Sequence, residues 1–352
     1  LTQLPEKFID EAIEAISSWD NYAPTPLIKL NKLNDELKLK NIYYKDEDKR
    51  FELKSFKALG GAFAVYKIAS EKKNITVSTA TAGNHGRSVA WGAQRLGLKC
   101  KIFISEFVSE SRAEAMRNLD AEVIRVKGNY DNSLKECIEQ SNKNNWEIVQ
   151  DVSWEGYKEV PKLIMAGYTI MVKEIIDEIN KNSITHVFLQ AGVGGMAAAM
   201  IAGFAKLSEN IPQFIIIEPE NADCVFQSIK NNKPTTVDIK KETVMGGMSC
   251  GDVSSIAWEI LKNSANYCLT IPDEAISTAV ALLAEKRLSN EKIIGGECAV
   301  PGVIALIGSF NNKEYLDKLK LNSESNVLLF GCEGLTDDAM YQKLLNDGLQ
   351  KI

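Results

Sequence analysis

A lysine in an apolar, glycine-flanked setting is the first residue of this sequence whose chemistry needs an explanation. Lys57 lies in Ser55-Phe56-Lys57-Ala58-Leu59-Gly60-Gly61, at the start of a helical pattern rather than in a run of charges. Burial disfavours an ammonium and favours the neutral, nucleophilic amine that Schiff-base formation needs. Most lysines are solvated surface residues instead, and four others fit that description better than Lys57: Lys45, Lys49, Lys54 and Lys67.

A glycine-rich turn, Ala191-Gly192-Val193-Gly194-Gly195-Met196, joins a buried strand pattern to an Ala-rich helical pattern. Such a turn can direct several backbone N–H groups at one anion, reinforced by the helix N-terminus. One interpretation is a dinucleotide site, because Gly192, Gly194 and Ala197 fit the GxGxx(G/A) pattern and Glu218 ends the next strand, where a ribose-binding acid would lie. The other two interpretations are a site for one phosphate monoester and a tight turn that binds nothing. The turn alone leaves all three open.

Two further turns carry polar groups at strand ends. In Thr81-Ala82-Gly83-Asn84-His85-Gly86, backbone N–H groups can bind a carboxylate, and the Asn84 amide can bond a phenolic oxygen. The alternative to a binding role is an ordinary capped helix start in which His85 packs or caps. In Phe330-Gly331-Cys332-Glu333-Gly334, the thiol can face a pyridine nitrogen, although a buried structural cysteine is the commoner case.

Composition narrows the classes of function. The 352 residues are 45% apolar and 25% charged, which is typical of a globular chain, and the net charge of -6 argues against a nucleic-acid binder. Only two histidines are present, so a His-rich metal centre is excluded and we expect no metal. Seven scattered cysteines without framework spacing, and no recognisable signal peptide, indicate reduced thiols in the cytoplasm.

Short β-branched runs alternate with longer helical patterns, which predicts an α/β protein with two domains and parallel-rich twisted sheets flanked by helices. We predict a small domain, residues 70–155, inserted as a mobile lid over the active-site cleft into a large cofactor-binding domain made of 1–69 and 156–352. The uncharged stretch from His186 to Ala205 is interrupted by glycines, so we interpret it as strand, turn and buried helix rather than a membrane span.

Individual elements are predicted with bounds that the structure can test. Helices are expected at Glu6–Ser17 and Pro301–Phe310, and strands at Glu122–Val126, Glu147–Val152 and Asn326–Gly331.

Taken together, SFK, TAGNHG, the glycine turn and the late CEG resemble the fold type II (tryptophan synthase β) family of pyridoxal-phosphate enzymes, from about Thr25 to Gly334. Longer strings are similar to the diaminopropionate ammonia-lyases of that family: KDEDKRFELKSFKALGG, GNHGRSVAWGAQRLG, GNYDNS, QDVSWEGYKEVP and QAGVGGMA. Enzymes of this kind remove both amino groups of 2,3-diaminopropionate to give pyruvate and ammonia.

The resemblance implies a role for each matching residue. Lys57 would bind pyridoxal 5'-phosphate as a Schiff base and shuttle the Cα proton. The substrate carboxylate would be received by Thr81, Ala82, Gly83 and His85. Asn84 would bond the 3′ oxygen of the cofactor, Cys332 would face its ring nitrogen, and Glu297 would lie beneath its ring. The cofactor phosphate would be held by the glycine turn, that is by Gly192, Val193, Gly194, Gly195 and Met196. For Glu297, a solvated loop charge is the plain alternative.

One position departs from the ammonia-lyase pattern. The acid that precedes the Gly-Asn-His loop, and that would serve the D-isomer, is replaced by Ala82, as in threonine dehydratases. Asp151 resembles the second acid of the lyase site, with a strand-end cap as its alternative.

We therefore expect a cytoplasmic, homodimeric enzyme of amino-acid catabolism that carries out α,β-elimination on a small β-substituted α-amino acid. 2,3-Diaminopropionate is the best match, with the L-isomer favoured. The alternatives are a serine/threonine dehydratase-like deaminase and, in a different class, a nucleotide-binding oxidoreductase.

Overall fold

A computed structural model describes residues 4–179 and 183–352. These residues form ten strands: β1 (Leu27–Lys29), β2 (Asn41–Asp46), β3 (Thr76–Ala80), β4 (Lys99–Ser105), β5 (Glu122–Val126), β6 (Glu147–Ile148), β7 (His186–Gln190), β8 (Gln213–Pro219), β9 (Tyr267–Ile271) and β10 (Asn326–Gly331). They also form fifteen α-helices: α1 (Glu6–Ser17), α2 (Asn31–Leu37), α3 (Lys57–Glu71), α4 (Asn84–Arg95), α5 (Glu110–Arg117), α6 (Tyr130–Asn144), α7 (Glu159–Tyr168), α8 (Ile170–Glu178), α9 (Gly195–Leu207), α10 (Cys224–Asn231), α11 (Ser255–Ser264), α12 (Ile276–Ala284), α13 (Pro301–Phe310), α14 (Lys313–Leu319) and α15 (Asp338–Leu349).

The larger of two compact units contains Ala23–Lys54 and Met171–Ile352. Its six-stranded sheet has the order β1-β2-β10-β7-β8-β9, and every pairing except β1 with β2 is parallel. All residues of β7 and β10 are buried, as expected for central strands covered on both faces. Because these two strands are parallel neighbours, the turn after Gln190 and the loop after Gly331 lie at the same edge of the sheet.

The smaller unit contains Leu4–Tyr22 and Ser55–Ile170. Its parallel four-stranded sheet has the order β5-β4-β3-β6, so the loops that follow β3 and β6 lie at one edge. This unit takes in more of the chain than the small domain placed at 70–155, since it also includes α1, α3 and α7. The role of residues 70–155 as a mobile lid over a cleft stays a prediction.

Glycines let α3 pack with its backbone against two neighbouring helices. A Cβ on Gly92 of α4 would lie 2.7 Å from the Ala62 Cα of α3, and a Cβ on Gly167 of α7 would lie 2.7 Å from the Leu59 carbonyl oxygen. The residues of α3 from Ala58 to Val65 are all buried. Backbone contact therefore holds the N-terminal half of α3, which carries Lys57, at a defined position in the unit.

The surface interpretation of Lys45 is wrong. Lys45 on β2 is fully buried, and its Nζ lies 2.7 Å from the Glu174 carboxylate and 2.7 Å from the Thr25 carbonyl oxygen. Arg50 joins the same cluster through Glu47 at 2.8 Å and Glu174 at 2.7 Å. A buried lysine needs such partners, and they come from distant parts of the chain that the charges around Lys45 do not reveal.

Strand β6 ends at Ile148 rather than at the predicted Val152. The Tyr157 hydroxyl donates to the Ile148 carbonyl oxygen at 2.8 Å and accepts from the Gln150 N–H at 2.9 Å. This side chain takes up hydrogen bonds that would otherwise extend the ladder, and it leaves Asp151 in a loop. The other predicted bounds, Glu6–Ser17, Pro301–Phe310, Glu122–Val126 and Asn326–Gly331, are confirmed.

No helix among the described residues combines the length and the apolar character needed to cross a membrane.

The glycine contacts of α3 generate a stability prediction. Gly92→Ala should lower the free energy of unfolding by about 1–3 kcal/mol, because the added methyl group meets backbone that has to move. Gly308→Ala is the matched control, since a Cβ on this α13 glycine meets nothing within 4 Å. That substitution should raise stability by about 0.5–1 kcal/mol through helix propensity. Urea unfolding of both variants checks the two signs, and equal effects would contradict the packing argument.

Candidate active site

Lys57 is the first residue of α3, and its ammonium is held by an acid and two aromatic rings. The Lys57 Nζ lies 2.5 Å from the Asp151 Oδ2, 5.5 Å from the centroid of the Phe56 ring and 5.9 Å from that of Tyr168. Charge pairing and cation–π contact both stabilise an ammonium. In this state Lys57 is therefore charged, and its nucleophilic form arises only when the proton leaves.

Asp151 is the partner of Lys57, and the alternative of a strand-end cap is not the arrangement found. Burial alone would raise the pKa of Asp151, but the neighbouring His85 and Lys57 and the hydrogen bond from Lys57 hold this pKa well below its ordinary value. The pairing with Lys57 therefore favours the ionised carboxylate.

His85 lies behind Asp151 as a buried ring. Its Nε2 lies 2.7 Å from the Val149 carbonyl oxygen, and its Nδ1 lies 3.8 Å from the Asp151 Oδ2. Since a carbonyl oxygen only accepts, we assign the ring proton to Nε2, so Nδ1 presents a lone pair. Burial lowers the pKa of His85, and the opposing effect of Asp151 is countered by Lys57. The neutral ring offers no proton to a substrate carboxylate at Nδ1, so the contact predicted for His85 would have to come from its backbone N–H.

The loop after β3 is organised by Thr81. Its hydroxyl accepts hydrogen bonds from the N–H groups of Gly83 at 3.0 Å and Gly86 at 3.2 Å. A Cβ on Gly86 would lie 2.4 Å from the Thr81 Cγ2, which explains the glycine at this position. Asn84 begins α4, while Ala82 is exposed at the tip of the loop. This helix starts earlier than the loop pattern indicates, and the structure does not test the substrate and cofactor roles of these residues.

Gln150, which the sequence analysis did not assign, fixes the loops after β3 and β6 to each other. Its carboxamide accepts from the Ala80 N–H at 3.0 Å and donates to the Ala80 carbonyl oxygen at 2.9 Å and to the Tyr130 hydroxyl at 2.7 Å. Gln150 and Tyr130 stand in the recognised strings QDVSWEGYKEVP and GNYDNS, so a signal for them was present. For Tyr168 the sequence offers no comparable signal.

In the larger unit, the glycine turn leads directly into the first turn of α9. Gly194 has a φ of 88°, and a Cβ there would lie 2.8 Å from the Leu261 Cδ1. A Cβ on Gly195, in contrast, would meet nothing within 4 Å. The N–H groups of Gly195, Met196 and Ala197 begin the helix and have no acceptor within it. Backbone donors at a helix N-terminus can bind a phosphate group, and the open Cβ position of Gly195 leaves this side of the turn uncovered.

The carboxyl ends of β7 and β10 bring Gln190 and Cys332 to one carbonyl group. The Cys332 thiol donates to the Cys298 carbonyl oxygen at 3.1 Å, and the Gln190 Nε2 donates to it at 2.8 Å. Within the described part of the chain, the Gln190 Oε1 is buried without a hydrogen-bond partner. A buried acceptor and a thiol beside the glycine turn are compatible with a polar heterocycle there.

Glu297 is buried, so the alternative of a solvated loop charge is wrong. Its carboxylate, the Cys298 thiol and the Glu333 carboxylate lie within 4.8 Å of one another. The Glu333 carboxylate accepts from the Cys298 N–H at 3.0 Å, and burial raises the pKa of the Cys298 thiol well above its ordinary value. Glu297 therefore lies in a buried cluster of two carboxylates and a thiol.

Glu218 caps a helix instead of facing the turn as a ribose ligand. Its two carboxylate oxygens accept from the N–H groups of Val225 at 2.8 Å and Phe226 at 2.7 Å, at the start of α10. Burial raises its pKa to about 8. The dinucleotide interpretation loses the acid on which it depended.

A family model described as pyridoxal-phosphate dependent enzyme matches residues 19–332, and the chain belongs to this family. The predicted fold class, enzyme class and cofactor are thereby confirmed. Within the family, the chain is 34% identical to the diaminopropionate ammonia-lyase of Escherichia coli strain K12 over 351 residues, which cover 93% of this chain and 88% of that protein.

Two further comparisons give the range of relatives. The crystal structure of the E. coli diaminopropionate ammonia-lyase in complex with an aminoacrylate-PLP azomethine reaction intermediate superimposes with a TM-score of 0.90 and 33% identity, covering 98% of this chain and 93% of that one. The catabolic L-threonine dehydratase of Staphylococcus aureus strain USA300 is 26% identical over 319 residues, covering 90% of this chain and 88% of that protein.

The glycine turn generates a binding prediction. Gly194→Val should weaken pyridoxal-phosphate binding by at least about tenfold, because a β-branched residue is strained at positive φ and the turn that presents the N–H groups is displaced. In Gly195→Ala the backbone keeps an ordinary φ and the added methyl group meets no protein atom. A loss of cofactor affinity in this variant would therefore show that the methyl group occupies space that the cofactor phosphate needs. Cofactor titration of the apoenzyme measures both, with thermal unfolding as the control for folding. Unchanged affinity in a folded Gly194→Val protein would contradict a phosphate site at this turn.

Proposed function

We propose that this protein eliminates ammonia from 2,3-diaminopropionate, acting preferentially on the L-isomer, to yield pyruvate and a second ammonia. The observation that carries the proposal is the Lys57–Asp151 pair, in which an amine and a carboxylate face each other at 2.5 Å. The similarity to diaminopropionate ammonia-lyases supports the choice of substrate.

The cofactor is assigned to residues that fit its functional groups. Lys57 would bind it covalently, the N–H groups from Gly192 to Met196 would take the phosphate, and Asn84 would bond the 3′ oxygen. Cys332 would face the ring nitrogen, with Glu297 beneath the ring. When bound, pyridoxal phosphate withdraws electrons from the substrate Cα and so acidifies its proton.

Lys57 has two states in this scheme. As an ammonium it is paired with Asp151, and as a neutral amine it would be the nucleophile that holds the cofactor. A neutral amine at this position can take the Cα proton. Cys332 is a neutral thiol rather than a carboxylate, so it does not impose a proton on the ring nitrogen, which suits elimination.

A serine/threonine dehydratase-like deaminase is the second candidate, and Ala82 is the residue that favours it. The similarity to the S. aureus threonine dehydratase is lower than that to the ammonia-lyase. Release of 2-oxobutyrate from L-threonine at a rate above that of pyruvate from diaminopropionate would favour this candidate.

We also propose a homodimer in the cytoplasm. The support for the compartment is chemical, because none of the seven cysteines forms a disulfide and five of them are buried. Sedimentation analysis of the purified protein tests the dimer.

The assignment of Lys57 is tested by its removal. Lys57→Ala should abolish turnover, and borohydride reduction of the wild-type protein should fix the cofactor to a peptide that contains Lys57. Lys67→Ala is the control, since Lys67 lies on the same helix and forms an ion pair with Glu11 at 2.9 Å. Cofactor found on another lysine would overturn the assignment.

Ala82 generates a stereochemical prediction. A base removes the Cα proton only from its own face, and a methyl group at position 82 has no proton affinity. Loss of general-base help costs about 10²–10⁴-fold in rate, so kcat/KM for L-2,3-diaminopropionate should exceed that for the D-isomer by at least about 10²-fold. Ala82→Asp should raise the D-rate and narrow the gap. Comparable wild-type values for the two isomers would contradict the argument and point to Asp151 as the second base.

A further inference from the structure

The ammonium of Lys57 lies among groups that suit a cation in general, not this lysine alone. We call them the ammonium cradle: the Asp151 carboxylate, the His85 Nδ1, the Tyr168 hydroxyl and the Phe56 ring. All four belong to the smaller unit. The lysine reaches the carboxylate at 2.5 Å and stands over the Phe56 and Tyr168 rings at 5.5 and 5.9 Å.

Two polar atoms of the cradle are left over. Across the residues described by the structure, the His85 Nδ1 and the Tyr168 Oη are buried without a hydrogen-bond partner. His85 is 5% exposed and Tyr168 is 2% exposed. Buried polar atoms are nearly always paired, so two unpaired ones on residues that neighbour Lys57 indicate that a ligand supplies the missing donors.

Asp151 has one close cationic partner in the cradle. The Lys57 Nζ lies 2.5 Å from its Oδ2, while the nearest nitrogen of His85 is 3.8 Å away on a neutral ring. The Asp151 side chain is only 15% exposed, so a cation that replaces the Lys57 ammonium at this position would keep the carboxylate paired.

We propose that Asp151, His85 and Tyr168 bind the β-ammonium of the substrate, and that this cradle selects diamino acids over amino acids with a neutral β-substituent. The inference rests on the proposed function and names the groups that recognise the second amino group. An alkylammonium carries three N–H donors, and the cradle offers it a carboxylate oxygen, an imidazole nitrogen and a phenol oxygen. The side chain of Lys57 is itself an alkylammonium and stands in for the substrate group in this structure.

Binding the leaving group as an ammonium also balances the reaction. Lys57 takes the proton from Cα, and the electron pair of that C–H bond becomes the second bond between Cα and Cβ. The Cβ–N bond breaks with its electron pair staying on nitrogen. Because the nitrogen already carries three hydrogens, it departs as neutral ammonia and needs no further proton.

The kinetic test compares substrates that differ in the charge of the leaving group. Tyr168→Phe deletes only the unpaired hydroxyl, and His85→Gln keeps a donor for the Val149 carbonyl oxygen but deletes the Nδ1 lone pair. Each variant should lower kcat/KM for L-2,3-diaminopropionate by about tenfold to a hundredfold, the usual effect of one hydrogen bond to a charged group. For L-β-chloroalanine, whose chloride leaves without a proton, the loss in each variant should be at least about fivefold smaller.

Tyr341→Phe is the matched control, because the Tyr341 hydroxyl is also buried without a partner among the described residues but lies on α15 of the larger unit. It should leave the ratio of the two substrates unchanged. Equal losses with both substrates in Tyr168→Phe and His85→Gln, or no loss with either, would overturn the proposal. Absence of pyruvate from diaminopropionate with the wild-type enzyme would instead reject the proposed function.

The second test needs no cofactor, because the chain has only two histidines, His85 and His186. Histidine ¹⁵N NMR of the full-length apoprotein should show His85 neutral, with its proton on Nε2. In Lys57→Ala the pKa of His85 should rise, since Asp151 keeps its charge and the neighbouring cation is gone. Adding ethylammonium as the probe should lower that pKa again by occupying the cradle, while His186 stays constant. A His85 signal that responds neither to Lys57→Ala nor to ethylammonium would overturn the cradle.

Discussion

The ion pair between Lys57 and Asp151 is the constraint around which the smaller unit is arranged. It joins residues 94 positions apart, one at the start of α3 and the other in the loop after β6. The Lys57 side chain is 25% exposed and that of Asp151 is 15% exposed, so the pair is partly shielded from water and each charge stabilises the other. The pair also stabilises the ammonium form of Lys57, so the neutral amine that the chemistry needs forms only when that proton leaves.

The surrounding packing holds the two partners at contact distance. Glycines at positions 92 and 167 bring the backbones of α4 and α7 against α3, which fixes the direction in which Lys57 leaves its helix. On the other side, the Tyr157 hydroxyl ends β6 and Gln150 ties the following loop to Ala80. Asp151 is thus held by a loop with fixed hydrogen bonds rather than by a strand, and His85 packs behind it.

Sequence patterns predicted the parts of this arrangement that depend on neighbours in the chain. The bounds of α1, α13, β5 and β10 follow from local periodicity, and the glycine turn from its residue types. The parts that depend on distant residues were missed. Lys45 looks like a surface residue until Glu174 supplies its partner, and Tyr168 looks like an ordinary core residue until Lys57 is found over its ring. Glu297 is buried by packing that the charges around it do not reveal.

The most direct test of the account is the substrate preference of the wild-type enzyme, measured as kcat/KM for pyruvate release from L-2,3-diaminopropionate and from L-serine. The two substrates differ at one group, an ammonium in place of a hydroxyl, and in this account the substrate ammonium pairs with Asp151. The account predicts a clear preference for diaminopropionate, with two ammonia molecules released for each pyruvate. Equal or better turnover of L-serine would contradict it.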